Sequence, residues 1–185
     1  MNSKPVLMIH EVTEDILALP LENYVLTFDD GLYSQYYYIE HFNKLDTEKI
    51  FFISSSIVCA GAQSLDFPNC VQAHEKAFAG DMSDYMTVEQ IKTLTTMPKV
   101  SVGGHSHSHT SLDKFSTLAE KANYLKQDTE QMISWFETTL GFKPTKFCYP
   151  YNNNLEGIYK ALLMKHGVTE FYGSERIPVE MLLRS

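Results

Sequence analysis

Short apolar runs alternate along the chain with longer amphipathic ones. Val6–Ile9 (VLMI), Tyr24–Phe28 (YVLTF), Ile50–Ile53 (IFFI), Val100–Gly103, Lys146–Tyr149 (KFCY) and Val168–Tyr172 have the length and residue content of buried strands. Helical signals lie between them. Thr87-Val88-Glu89-Gln90 and Thr117-Leu118-Ala119-Glu120 fit the capping box, in which the Thr hydroxyl and the later Glu or Gln side chain satisfy free N–H groups. After the second box, Leu118, Ala122, Leu125, Met132, Ile133, Phe136 and Leu140 recur at helical spacing, and Gly141 supplies a stop. A shorter helix is predicted over Leu155–Lys165, ending at His166-Gly167, and Tyr33–Tyr38 reads as one side of a helix after the second strand. Residues 60–85, with their Gly, Pro and Asn, read as an irregular insertion. Strand and helix in alternation predict an α/β fold with a mainly parallel sheet or barrel.

Composition narrows this. A length of 185 residues suits a single domain, 1–185, and falls short of the roughly 250 residues of a complete eight-fold barrel. With 15 Lys and Arg against 23 Asp and Glu the net charge is −8, which disfavours a nucleic-acid backbone or an anionic membrane surface as partner. Apolar residues at 44% are enough for a real core. Cys59, Cys70 and Cys148 are too few and scattered for a disulfide framework; ordinary thiols are expected, with a Cys59–Cys70 bridge as the alternative. The chain has no apolar run long enough to span a bilayer and none of signal-peptide length, so we expect a cytoplasmic protein or the mature form of a secreted one.

Reactive residues collect at the ends of four predicted strands. His10 follows VLMI, Asp29-Asp30-Gly31 follows YVLTF, His105, His107 and His109 follow the Val100–Gly103 strand, and Pro150-Tyr151 follows KFCY. Parallel strands place their C-terminal ends on one face, where α/β active sites are built. Adjacent carboxylates at a strand end point in different directions, so one can bind a metal while its neighbour acts as a base. His105 and His109, at i and i+4, can bring two imidazoles together over one helix-like turn, with His107 turned elsewhere, whereas an extended segment would put all three on one side. Two imidazoles and a carboxylate make a facial set that leaves positions open for water and substrate.

At these residues the sequence resembles the polysaccharide deacetylases with the NodB-homology fold, carbohydrate esterases that remove N-acetyl groups from amino sugars. Thr27-Phe28-Asp29-Asp30-Gly31 resembles the family's TFDDG segment, His105 to Leu112 its H-[ST]-x-x-H segment with trailing Leu, and Phe147-Cys148-Tyr149-Pro150-Tyr151 its third motif. The resemblance runs from about residue 5 to about residue 175. It implies a distorted or incomplete (β/α) barrel with a mainly parallel sheet. It also implies Asp30, His105 and His109 as ligands of a divalent metal, Asp29 as the base acting on a metal-bound water, and the Tyr151 backbone N–H as oxyanion donor. Pro150 and Tyr151 would then border the substrate, an N-acetylated sugar. Zinc is the default metal, with Co, Ni or Mn able to fill the same site.

Three departures qualify the resemblance. Nothing after His166 fits the C-terminal histidine motif that supplies the acid in many members. Pro5 to His10 instead resembles the opening strand of a permuted branch, which includes biofilm poly-N-acetylglucosamine deacetylases, and this implies His10 as the acid. The third motif's usual Arg is Cys148, so Asp29 needs another cation, Lys146 or Arg176. The usual Gly after Tyr is Asn152. Two other functions compete with deacetylation of an amino sugar: a catalytically weak carbohydrate-binding relative, and a metal hydrolase of O-acetyl esters or non-sugar amides.

Overall fold

The computed structural model describes residues 4–184. Seven strands form one sheet: β1 (Val6–Ile9), β2 (Val25–Phe28), β3 (Lys49–Ile53), β4 (Val100–Gly104), β5 (Lys146–Cys148), β6 (Glu170–Tyr172) and β7 (Ile177–Pro178). Every pairing is parallel, in the order β6-β5-β4-β3-β2-β1-β7. The helices are α1 (Glu14–Leu17), α2 (Tyr33–Tyr37), α3 (Ile39–Asn43), α4 (Cys70–Phe78), α5 (Val88–Leu94), α6 (Leu118–Trp135), α7 (Ile158–Lys165) and α8 (Glu180–Leu183). The two edge strands, β6 and β7, are consecutive in the chain. The step from Tyr172 to Ile177 can span at most about 18 Å, so the sheet must curl until its edges nearly meet. This is the incomplete barrel expected from the family resemblance.

Alternation along the strands sorts side chains between two cores. Leu26, Phe28, Phe51 and Ile53 face the helices and belong to the main cluster. Ile50, Phe52 and Cys148 form a small interior cluster with Val25 and Tyr172. Both predicted capping boxes are present, at Thr87 on α5 and Thr117 on α6. The last turn of the long helix widens into a π-turn, Phe136–Leu140, and Gly141 closes it with a left-handed φ of 83°. Gly103 and Gly104 are required for close approach: a Cβ on Gly103 would meet the Lys146 carbonyl at 2.7 Å, and one on Gly104 would meet Met132 Sδ at 2.5 Å.

Several expectations need correction. The strand predicted at Val168–Tyr172 is confined to Glu170–Tyr172, and the helix after β2 breaks at Tyr38 into α2 and α3. The 60–85 insertion is not wholly irregular. Asn69 caps α4 by accepting from the Gln72 N–H, and Ala73 and Ala77 bury against Leu32, Ile57 and Tyr85. Cys59 and Cys70 are free thiols, which excludes the alternative bridge. Among the described residues, no helix is long and apolar enough to cross a membrane.

Candidate active site

Parallel register carries the four predicted strand ends to one level. Ile9 stands beside Phe28, Phe28 beside Phe51, Ile53 beside Gly104, and Gly104 beside Phe147. The residues just beyond these ends converge on a cavity of about 250 Å³ lined by His10, Asp29, Asp30, His74, His105, His109 and Tyr151, among others. Its backbone is strained where its chemistry is densest. Asp30 (φ 74°), Ser106 (67°), His109 (50°), Tyr151 (54°) and Asn152 (54°) all occupy the left-handed region that non-glycine residues avoid. Asn152 thus takes the conformation for which a glycine is the usual choice.

Asp30, His105 and His109 meet at three nearly equal distances. Asp30 Oδ1 lies 3.2 Å from Nε2 of His105 and 3.2 Å from Nε2 of His109, and the two ring nitrogens are 3.2 Å apart. Metal–ligand bonds of about 2.0–2.1 Å place adjacent donor atoms about 3.0–3.4 Å apart. The triangle therefore fits one divalent ion. Asp30 Oδ1 is buried and accepts no hydrogen bond that would compete for it. The Cys148 carbonyl can only accept, so at 2.8 Å it fixes the proton of His105 on Nδ1 and leaves the Nε2 lone pair facing Asp30. Burial opposes ionisation of Asp30, yet with no ion between them the imidazoles of His109 and His105, when they carry a proton on Nε2, outweigh it and hold the carboxyl well below its ordinary range.

Asp29 points the other way, into the barrel. Arg176 donates to Oδ1 at 2.7 Å and to Oδ2 at 2.8 Å, a bidentate pair with both side chains buried. The same guanidinium donates to Thr27 Oγ1, to the Gly173 carbonyl and to Cys148 Sγ. Burial raises the Asp29 proton affinity, but Arg176, with smaller contributions from His105 and His10, lowers it on balance. Of the two cations proposed for this role, Arg176 is therefore the one present. Lys146 is engaged instead with Glu170 and Glu48. Burial next to Asp29 keeps the Cys148 thiol protonated, so it is a poor metal ligand although it lies near Asp29 and His105.

His10 Nε2 lies 3.9 Å from Asp29 Oδ2 at the lip of the cavity. Gln35 positions both residues: its Nε2 donates to the carbonyls of His10 (2.8 Å) and Asp29 (2.6 Å). His107 turns away, as expected, and its Nδ1 pairs with Ser55 Oγ at 2.8 Å. Pro150 is buried and lines, with Tyr151, a neighbouring cavity of about 150 Å³ that also includes Leu112 and Tyr124. The Tyr151 hydroxyl donates to the His109 carbonyl at 3.3 Å.

Three contributors were missed from the sequence. Gln35 and Asp128 are polar side chains fully buried on helices. Asp128, on α6, accepts from the N–H groups of His107 and Ser108, from Ser108 Oγ and from the Tyr124 hydroxyl, at 2.8–3.0 Å, and so latches the histidine loop. The third is His74 on α4. Its Nε2 lies 3.7 Å from Asp30 Oδ1, and its ring stacks on His109 with centroids 4.3 Å apart. Burial holds its imidazole below the ordinary proton affinity. The only local sign of a helix there is the Asn69 cap.

A curled parallel sheet with carboxylates and imidazoles gathered at its strand ends defines a barrel-type hydrolase with a metal-compatible centre. The family model described as Polysaccharide deacetylase matches residues 20–170, and the chain belongs to that family of metal-dependent carbohydrate esterases. His10 and Arg176 both lie outside the matched segment. Among solved structures, the chain is similar to IcaB from Ammonifex degensii, at 19% identity and a TM-score of 0.66, covering 95% of this chain and 84% of that one. It is also similar to a de-N-acetylase from Aggregatibacter actinomycetemcomitans, at 13% identity and 0.64, covering 94% and 92%. The BpsB deacetylase domain from Bordetella bronchiseptica matches at 13% identity and 0.62, covering 94% and 93%. At these identities the likeness establishes the fold. No curated protein sequence matches the chain.

Proposed function

We propose that this protein hydrolyses the N-acetyl group of an N-acetylated amino sugar, releasing acetate and a free amine. One observation carries the reading: a carboxylate held ionised by Arg176 stands directly beside a donor triangle sized for one divalent ion. Asp30, His105 and His109 would hold the ion, with zinc favoured by the ligand chemistry. When bound, the ion supplies Lewis acidity, lowering the pKa of water to about 7 and drawing charge from a carbonyl.

Asp29 is the base. A carboxylate has about four lone-pair sites, and Arg176 uses one on each oxygen, so capacity remains to take a proton from the attacking water. That water's oxygen bonds the acetamide carbon, the C–N bond breaks, and its electron pair goes to nitrogen. The departing amine needs a proton, because an amide anion is not a viable leaving group. His10 supplies it from the same wall of the cavity, 3.9 Å from Asp29. An acid that precedes β2 is the arrangement that resemblance to the permuted branch implies. Tyr151, held at φ 54° after β5, turns its backbone N–H into the oxyanion role, and Pro150 with Tyr151 borders the substrate.

Acetate release from N-acetylglucosamine oligomers, by chelated and zinc-restored protein, tests the proposal. Metal-dependent release supports it. Release from chromogenic acetyl esters but not from the sugars would replace it with an esterase of other substrates. Sugar binding without release from either would make the chain a carbohydrate-binding relative.

A further inference from the structure

The insertion helix α4 contributes to the site without belonging to any of the four strand ends. Its capping residue Asn69, its buried Ala73 and Ala77, and a hydrogen bond from the Cys70 N–H to Glu11 Oε2 at 3.1 Å fix its position independently of the cavity. A 2.6 Å ion pair from Lys76 to Asp84 adds a further tie. That anchored helix presents His74 to the donor triangle.

His74 is prepared as His105 is. Its Nδ1 lies 2.8 Å from the Cys70 carbonyl, which can only accept, so the proton sits on Nδ1 and the Nε2 lone pair is free. That Nε2 is buried and has no hydrogen-bond partner among the described residues. It lies 3.7 Å from Asp30 Oδ1, and the donor atoms of Asp30, His74 and His109 all lie within 4.8 Å of one another. At bonds of about 2.1 Å, donor atoms around one ion stand about 3.0 Å apart when adjacent and about 4.2 Å when opposite. The His74–Asp30 separation falls between these limits.

We propose that His74 is a fourth protein ligand of the metal centre, making it a three-imidazole, one-carboxylate site and fastening the 60–85 insertion over the cavity. The inference rests on Asp30, His105 and His109 holding a metal. Four protein ligands would leave a five-coordinate ion one position for the attacking water, and a six-coordinate ion a second for the substrate carbonyl.

Zinc-loaded wild-type protein, studied by X-ray absorption, should show three imidazoles in the coordination shell, and two would overturn the proposal. In chelator competition, His74→Ala should bind zinc at least about tenfold more weakly than wild type. Its cobalt form should show an altered visible spectrum as one imidazole leaves the coordination shell, and added imidazole should restore both. The metal-free melting temperature reports whether the variant folds. Unchanged affinity and an unchanged cobalt spectrum would overturn the role of His74 while leaving the deacetylase reading intact. Wild-type protein that binds neither ion would instead remove the metal reading on which both proposals stand.

Discussion

Arg176 binds both carboxylate oxygens of Asp29, at 2.7 and 2.8 Å, from a position 147 residues away in the chain. It lies in the short connection between β6 and β7, where the barrel is left open. It closes the site electrostatically where the strands do not close it by hydrogen bonding. The guanidinium carbon also sits 6.0 Å from the Phe52 ring centroid, above the interior core. Cys148, where the family resemblance leads one to expect an arginine, lies against the Arg176 guanidinium.

Removing that partner leaves a buried carboxylate unpaired. Arg176→Leu should cost about 3–5 kcal/mol of stability at neutral pH, measured by denaturant unfolding. The depressed Asp29 value sets the sign of the pH dependence. In metal-free wild-type protein, the stabilisation is fully present above the ordinary carboxylate range and is lost as pH falls through the lower folded value. In Arg176→Leu, burial is opposed only by the smaller contributions of His105 and His10, so the Asp29 proton affinity rises and this contribution should be missing already at mildly acidic pH. A variant whose stability tracked wild type from neutral to acidic pH would contradict the pairing.

The two carboxylates of the Asp29-Asp30 pair should separate cleanly under mutation. Asp29→Asn keeps size and shape and leaves the donor triangle untouched, so it should retain zinc while losing roughly 10²–10⁴-fold in acetate release. His105→Ala removes one corner of the triangle and should lose zinc as well. Metal content by atomic absorption beside turnover distinguishes the two. Near-normal turnover in Asp29→Asn would exclude Asp29 as the base.

His10 is assigned to the departing amine, and the leaving group therefore decides the outcome. His10→Ala should slow release from an N-acetyl sugar by about 10²-fold or more, and should affect an activated aryl acetate much less, because a phenolate departs without a proton. Equal losses on both substrates would indicate that the imidazole maintains the loop rather than donating a proton.

The part of this site legible in the sequence is the part written in strand ends. Runs such as VLMI and YVLTF announce parallel strands, and parallel strands bring the residues at their C-terminal ends to one face. Residues placed by tertiary contact are harder to read. Gln35 and Asp128 look like the solvated side of a helix, because polar residues there are normally exposed and nothing local shows that they are buried. The family resemblance called for a cation beside Asp29 and left Lys146 and Arg176 as candidates without choosing between them. The choice depends on how β6 and β7 curl toward each other, and on Glu48 and Glu170 claiming the lysine. His74 was hidden by its surroundings. Gly, Pro and Asn on either side suggest irregular chain, while the helix between them is only one short element from Cys70 to Phe78.

Asp128 provides the most direct test of how the histidine loop is held. His109 and Ser106 take left-handed backbone angles, which cost about 1–3 kcal/mol each and persist only where the surroundings enforce them. Asp128 is one of the enforcing groups, accepting from the His107 and Ser108 amides, the Ser108 hydroxyl and the Tyr124 hydroxyl while 2% exposed; Ser54, Ser55 and Ser56 hold the loop from the other side. Asp128→Ala strands these donors in the interior and should destabilise the fold by about 2–4 kcal/mol. Because the loop carries His105 and His109, zinc affinity should fall by about 10–100-fold, although Asp128 touches neither ring. Asp128→Asn preserves one acceptor oxygen and should fall between wild type and Ala in both measurements. Denaturant unfolding of the metal-free chain and chelator competition for zinc track the two effects separately. A loss of stability without loss of zinc affinity would show that the triangle of Asp30, His105 and His109 holds its shape without the latch.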